Sequence, residues 1–330
     1  MNSSRSLRAA RTLLVATALC SVCGVSLAQG YPARAVHILL GQPPGGVQDT
    51  LVRGIAQELG KTWGQPVVLD NRVGGTGVVA ALAAARAAPD GYTLFFSTST
   101  NMNTAQFLQK NLPYSPEKDF VPVVGLAQTK SILVARNELG VASVRELVAL
   151  AKAKPPGALN FGSFGMASAA HMDAEAFSKA AGFKATHVPY KGGAEVMTAI
   201  LAGQVDFAMT ALTAAIPLVK QGKLKGLAYT GDQRAVALPQ MPTLAEAGYS
   251  GFETGGLFAL YVPTGTPAAV MEKIAADAGR IRSMPAIRDK VVFANGMEEF
   301  TLQGPALVKR MQESREEFAE RIKGLNITVD

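Results

Sequence analysis

The alternation of short apolar runs with helix-periodic segments constrains this chain more than any other feature. "AVHILL" (35–40), "PVVLD" (66–70) and "YTLFF" (92–96) have the length and the β-branched or aromatic content of buried strands. Between them, "DTLVRGIAQELG" sets Leu51, Val52, Ile55, Ala56 and Leu59 on one helical face and stops at Gly60. "GVVAALAAARAAPDG" supplies a second helix, ended by Pro89 and Gly91. Strands joined by such short helical crossovers pair in parallel through right-handed connections. The pattern restarts at Ser131 with "SILVA", a helix capped by Ser143, "ALNFG", a helix from Ser168, "THVPY", "AEVMTAILAGQ" and "VDFAM". "KLKGLAYT", "GLFALYVP", a helix with Thr266 as N-cap and Pro267 at its first position, and a last amphipathic helix complete the chain. The expectation is an α/β protein of two lobes, each built on a central, mostly parallel sheet. No low-complexity linker separates them, so the chain crosses between lobes twice and leaves a cleft. The expected hinge lies near Ala127–Ser131 and Phe252–Leu260, with 29–130 and 253–330 as lobe 1 and 131–252 as lobe 2.

The first 28 residues stand apart. Arg5, Arg8 and Arg11 precede an apolar run from Leu13 to Leu27, and Ser26 and Ala28 fit the −3 and −1 positions of a signal cleavage site. The run is shorter than the ~20 residues of a membrane span. Cleavage after Ala28 would leave 302 residues without either cysteine, Cys20 or Cys23, and lower the net charge from +7 to +4. A core of this size needs no disulfide in an exported protein. The remaining basic residues are scattered and form no stripe that would track a phosphate backbone, so no nucleic-acid partner is expected.

Four loops follow strands and precede helices, where open α/β sheets bind ligands. In "QPPGGVQD", Pro43 and Pro44 hold the approach extended, and Gly45 and Gly46 leave bare backbone at a helix start. Asp49 is either the cap or a first-turn acid there. "STSTNMN" offers the neutral hydroxyls of Ser97, Thr98 and Ser99. "GSFGMASAAHM" brings Ser163, Gly165 and Ser168 to a further helix start that carries His171. Lys191 in "VPYKGGAEV" could steer an anion, and Thr210 and Ala211 end a later strand. Catalytic and cofactor signatures fail. "GGTGVVA" lacks the acid that a dinucleotide site places on the ribose. "FGSFG" has Phe161 where a nucleophile elbow requires Gly. His37, His171 and His187 are dispersed along the sequence, and neither metal nor cofactor is expected. An exported hydrolase would need a Ser–His contact that the sequence does not itself indicate.

The chain resembles the substrate-binding proteins of tripartite tricarboxylate transporters, the Bug receptors. The resemblance rests on "YPARAVHILLGQPPGGVQDTLVR", "GQPVVLDNRVGGTG", "APDGYTLFFSTST", "LPYSPEKDFVPV", "HVPYKGG", "GQVDFAM", "LPQMPTLAEAGY" and "VPTGTP", in family order over nearly the whole chain after the signal. It implies a type II periplasmic binding-protein fold, whose lobes close over a small carboxylate and deliver it to integral membrane permease subunits. In orphan members the ligand is passed to a sensor of a two-component system instead. It implies a monomeric periplasmic protein without catalysis. It assigns ligand binding to Pro44, Gly45, Gly46, Asp49, Ser97, Thr98, Ser99, Ser163, Ser168 and His171. Two departures bear on the ligand. Thr210 and Ala211 stand where members often have Asp-Asn, which argues against an ammonium group on the guest. Phe164 and Met166 add apolar surface to the second-lobe loop, and Leu257 stands where a tryptophan is common, which together point to a carboxylate on an apolar or aromatic body.

Overall fold

The computed structural model describes residues 30–325 except 110, 167, 191, 251 and 253–255. The signal segment, both cysteines and Lys191 therefore lie outside the described residues. Eleven strands are arranged in two sheets: β1 (Val36–Leu40), β2 (Val67–Asn71), β3 (Thr93–Thr98), β4 (Phe120–Gln128), β5 (Ser131–Arg136), β6 (Asn160–Ser163), β7 (Thr186–Pro189), β8 (Phe207–Ala211), β9 (Leu224–Tyr229), β10 (Leu257–Pro263) and β11 (Glu298–Glu299). The first sheet has the order β11-β4-β10-β3-β1-β2 and the second β7-β6-β8-β5-β9.

Both sheets are mixed. β1 pairs in parallel with β2 and β3, and β6 with β7 and β8. β10 is antiparallel to β3 and β4, and β5 is antiparallel to β8 and β9. The reversed strand inside each sheet is thus the one that enters from the other half of the molecule. A strand arriving from the other sheet starts at the end where its antiparallel neighbours finish.

Each sheet is buried on both faces, as the alternation of its strands requires. Val36, Ile38 and Leu40 face a core with Leu51, Ile55 and Leu59 of the helix Val47–Trp63 and with the helix Ala268–Arg282. Leu39, Phe95 and Tyr261 face the opposite way, against Ala80, Ala81 and Ala84 and against Leu307 and Met311 of the helix Gly304–Leu325. In the second sheet, Leu133 and Phe207 join one core and Ile132 and Ala208 another. Ser143 caps the helix Val144–Ala153 by accepting the Glu146 N–H, while Glu146 accepts the Ala142 N–H.

Three local expectations need correction. The helix expected to be capped by Thr266 begins at Ala268 with Pro267 as N-cap, because the Thr266 hydroxyl donates to the Pro263 carbonyl instead. β4 was not expected: Pro122 and Gly125 interrupt its pattern. Pro122 sits opposite Tyr261 at a register shift, and a Cβ on Gly125 would collide with the Phe300 ring. The helix Leu212–Lys220 also escaped the sequence reading, since Pro217 lies inside it.

Candidate functional site

Register places the candidate loops. Thr98, the last residue of β3, pairs with Phe258 at the start of β10, and Ala211, the last of β8, pairs with Ser131 at the start of β5. Ser131 and Leu257 begin their strands immediately after the chain passes between the two halves. The carboxyl ends of β1, β2 and β3 and those of β6, β7 and β8 therefore open toward the same junction. The passing segments themselves lie side by side: Thr129 N–H donates to the Gly256 carbonyl at 2.7 Å, and Gly256 N–H donates to Thr129 Oγ1 at 2.9 Å.

On the first half, three turns close-pack through glycine. A Cβ on Gly41 would lie 2.4 Å from Gly77 Cα, and one on Gly77 would overlap the Asn101 amide. The loop after β1, the turn Gly75–Gly77 and the loop after β3 thereby form one surface. Gly45 has φ +86, and both Gly45 and Gly46 are exposed. Gly46 is the N-cap of the helix Val47–Trp63 and gives it no side-chain cap. The helix start therefore has no N-cap side chain over its first N–H groups and the positive end of its dipole. Asp49 serves differently from what its position suggested. Its carboxylate is only 2% exposed and accepts the Gly45 N–H at 3.0 Å, Arg53 Nη2 at 2.8 Å and Asn71 Nδ2 at 3.0 Å. Burial opposes its ionisation, but these donors outweigh burial and hold the carboxyl below the ordinary Asp range. Asp49 thus fixes the shape of the glycine turn from beneath.

The hydroxyl loop is divided in role. Ser97 is buried and its Oγ meets no partner, whereas Ser99 Oγ accepts the Leu257 N–H at 3.1 Å. Thr98 makes only a 3.5 Å contact with Asn101. A π-helical turn, Thr100–Thr104, follows.

On the second half, the Ser163–Ser168 loop rests on an aromatic stack that the sequence did not reveal. Ser163 is fully buried; its Oγ lies 2.6 Å from His187 Nε2 and donates to the Gly165 carbonyl at 2.9 Å. His187 stacks on His171 at 3.7 Å between centroids and 7° between planes, with Phe161 alongside. Burial, with a smaller contribution from His171, pushes His187 down to about 4, and burial also lowers His171. This is the Ser–His contact a hydrolase would need, but its geometry is structural. The hydroxyl is closed to solvent, the loop backbone engages it, and an imidazole held neutral so strongly is a poor base. His171 is itself buried, 3.9 Å from Glu175, and lies under the loop. Ser168 caps the helix Ala169–Ala181 through the His171 N–H. Thr210 is buried with an unpartnered Oγ1. Gly192 starts the helix Gly193–Leu201, again without a side-chain cap. Phe164 packs into the core, while Met166 stands 53% exposed on the loop.

Two further concavities adjoin the crossings. One, of about 300 Å³, lies between Leu212, Tyr229 and Val236 on one side and Phe293, Met297 and Glu298 on the other. Tyr229 OH donates to Glu298 Oε1 at 2.7 Å, tying the halves together there, while Gln128 Nε2 donates to Glu298 Oε2 at 3.1 Å within the first half. Neither concavity is lined by residues 43–49 or 163–168. Among the described residues, no helix is long and apolar enough to cross a membrane.

Residues 51–327 match the model of the Tripartite tricarboxylate transporter family receptor. The protein BugT of Bordetella pertussis is 34% identical over 267 residues, 81% of each chain. Among solved structures, R. palustris Rpa4515 with adipate superposes with a TM-score of 0.77 at 30% identity, over 90% of this chain and 99% of that one. MatC from Rhodopseudomonas palustris with bound malate gives 0.71 at 29% identity, over 88% and 100%.

Proposed function

The chain belongs to the tripartite tricarboxylate transporter receptor family, and from that premise we propose that it is a periplasmic solute-binding protein for a small organic carboxylate. Members of this family are receptors, and the chain is not an enzyme. The carrying observation is the pair of helix starts without side-chain caps, Gly46 and Gly192, at carboxyl ends of strands from both halves that open onto one junction. Backbone N–H groups there receive the carboxylate. Pro44, Gly45 and Gly46 make the first contact, with Ser97, Thr98 and Ser99 beside them. Ser168 and Thr210 complete the pocket from the second half, while Asp49, Ser163 and His171 hold the contacting loops in shape. The unpartnered hydroxyls of Ser97 and Thr210 support this assignment, since a buried polar group without a partner awaits one.

The guest carries no ammonium group. Thr210 and Ala211 present no charge to balance one, and an unpaired buried cation is costly. The exposed Met166 suits an apolar body. Residues 1–28 direct export and are removed, 29–130 with 253–330 move against 131–252 on ligand closure, and the loaded monomer delivers its guest to membrane permease subunits. Adipate and malate, bound by two solved relatives, are the first acids to titrate calorimetrically, beside phthalate, citrate and aspartate. Binding of one or more of the non-amino acids is expected; binding of aspartate alone would refute the reading.

A further inference from the structure

Lys130 occupies the first crossing and is only 7% exposed. No hydrogen bond or ion pair joins its ammonium to any described residue, and the ammonium is not fully enclosed, so it is left facing an opening with no protein counter-charge. It lines a cavity of about 240 Å³ with Ser99, Asn103, Asp232, Arg310 and Ser314. The walls come from both halves: Ser99, Asn103 and the helix Gly304–Leu325 from the first, Asp232 from the second, and Gln128, Thr129, Lys130 and Gly256 from the crossing segments. Asp232 lies beyond ion-pairing distance of Lys130, and the Arg310 guanidinium is 3.2 Å from Glu317. Asn103 is 1% exposed; its Oδ1 is an acceptor without a partner and calls for a donor, while its Nδ2, which reaches Met311 Sδ at 4.0 Å, is the atom that can donate to an anion.

We propose that this cavity is a hinge-side anion subsite, with Lys130 as its charged anchor and a carboxylate group as its occupant. A carboxylate supplies the missing counter-charge to Lys130, and the Asn103 amide and the Ser99 and Ser314 hydroxyls lie along the same walls. Ser99 belongs also to the hydroxyl loop, so the subsite is continuous with the cleft proposed above. Its place between the crossings means that occupancy bears on how freely the halves move. The carboxylate has two possible sources, the far end of a guest already held in the cleft or a separate small acid.

The test is thermal unfolding of the full mature protein in sodium acetate or sodium succinate against sodium chloride at equal ionic strength. The wild type is expected to gain about 3 °C over the chloride curve. Lys130→Met should be no less stable in chloride and should lose that gain, while Lys130→Arg keeps it. If saturation with adipate abolishes the acetate-specific gain, and Lys130→Met weakens adipate tenfold or more by calorimetry, the far carboxylate of one guest fills the cavity. If the gain survives saturation, the occupant is a separate acid; either result supports the subsite. An equal gain in Lys130→Met and wild type, or no gain in wild type with either salt, overturns it. Should Lys130→Met fail to fold, Arg310→Gln and Asn103→Leu at the other wall carry the same comparison. Because acetate needs no cleft contact, failure here is distinguishable from failure of the cleft reading.

Discussion

The two halves of the molecule hold their candidate loops by opposite means. The glycine turn after β1 hangs on a charged centre, the buried Asp49 carboxylate with Arg53, Asn71 and the Gly45 N–H. The Ser163 loop rests on neutral rings, His187 stacked on His171 beside Phe161. A carboxylate accepts several donors at once and so can pin a turn that has no side chains of its own. Its partner Arg53 is 46% exposed, which keeps the second charge solvated. The imidazole pair cannot carry charge cheaply, because protonating either ring places a cation against its neighbour in a desolvated site. One support is built to stay ionised and the other to stay neutral.

That contrast can be broken or sharpened experimentally. The largest expected effect is on binding: Gly46→Leu should abolish capture of any carboxylate that the wild type binds. Gly46 has φ −75, and a Cβ there would approach nothing closer than the Pro43 carbonyl at 3.9 Å. Stability should therefore stay within about 0.5 kcal/mol of wild type by urea denaturation. Asp49→Ala should follow, with a loss of about 2–3 kcal/mol in the same assay. It takes an acceptor from the Gly45 N–H and from Asn71 Nδ2, which keeps its bond to the Gln42 carbonyl, and removes the charge-assisted bond to the half-solvated Arg53.

The pH response should separate the halves. Below its unfolded value of 6.5, His187 binds protons in the unfolded chain before it does in the folded one. Its contribution is therefore complete above pH 6.5 and declines as pH falls toward about 4. Asp49, lowered from 3.8, contributes fully above that value and fails only as pH falls below it. His187→Phe keeps a flat ring and should make the stability curve between pH 6.5 and 4 shallower, with the slope that remains coming from His171, while leaving the lower limb, as followed by denaturant midpoints. A steep upper limb that survives in His187→Phe would show that the neutral stack does not differ from the charged centre in this way. The smallest effect is expected from Glu298→Gln, about 1 kcal/mol or less. It leaves one acceptor for the two donors, Tyr229 and Gln128, and loosens the tie between the halves. Small-angle scattering of the unliganded protein should then report a wider distribution of sizes.

Much of the architecture was legible because apolar alternation and helix periodicity are local signals. The exceptions are instructive. Pro122, Gly125 and Pro217 each break a pattern that tertiary contacts then tolerate or require, as the Phe300 ring does at Gly125. In the candidate site, the glycine turn and hydroxyl loop stood out because Gly45, Gly46, Ser97 and Thr98 are unusual residues in a contiguous run. What the sequence withheld was the layer beneath. His171 and His187 lie on a helix and a strand, and their stacking depends on how β6 and β7 pair. Asp49 looked like a cap because a first-turn acid commonly is one; its use by Asn71, across a strand–helix connection, has no local signature.

The paired crossings at Thr129 and Gly256 have a mechanical corollary. Two peptide strands running in opposite directions through one waist act as twin pins, free to flex together yet resistant to twisting. Severing either backbone alone would not part the body, because the uncut strand still spans the waist and β10 stays paired between β3 and β4. Limited proteolysis near Gly256 should give two fragments on a denaturing gel that elute together from a sizing column.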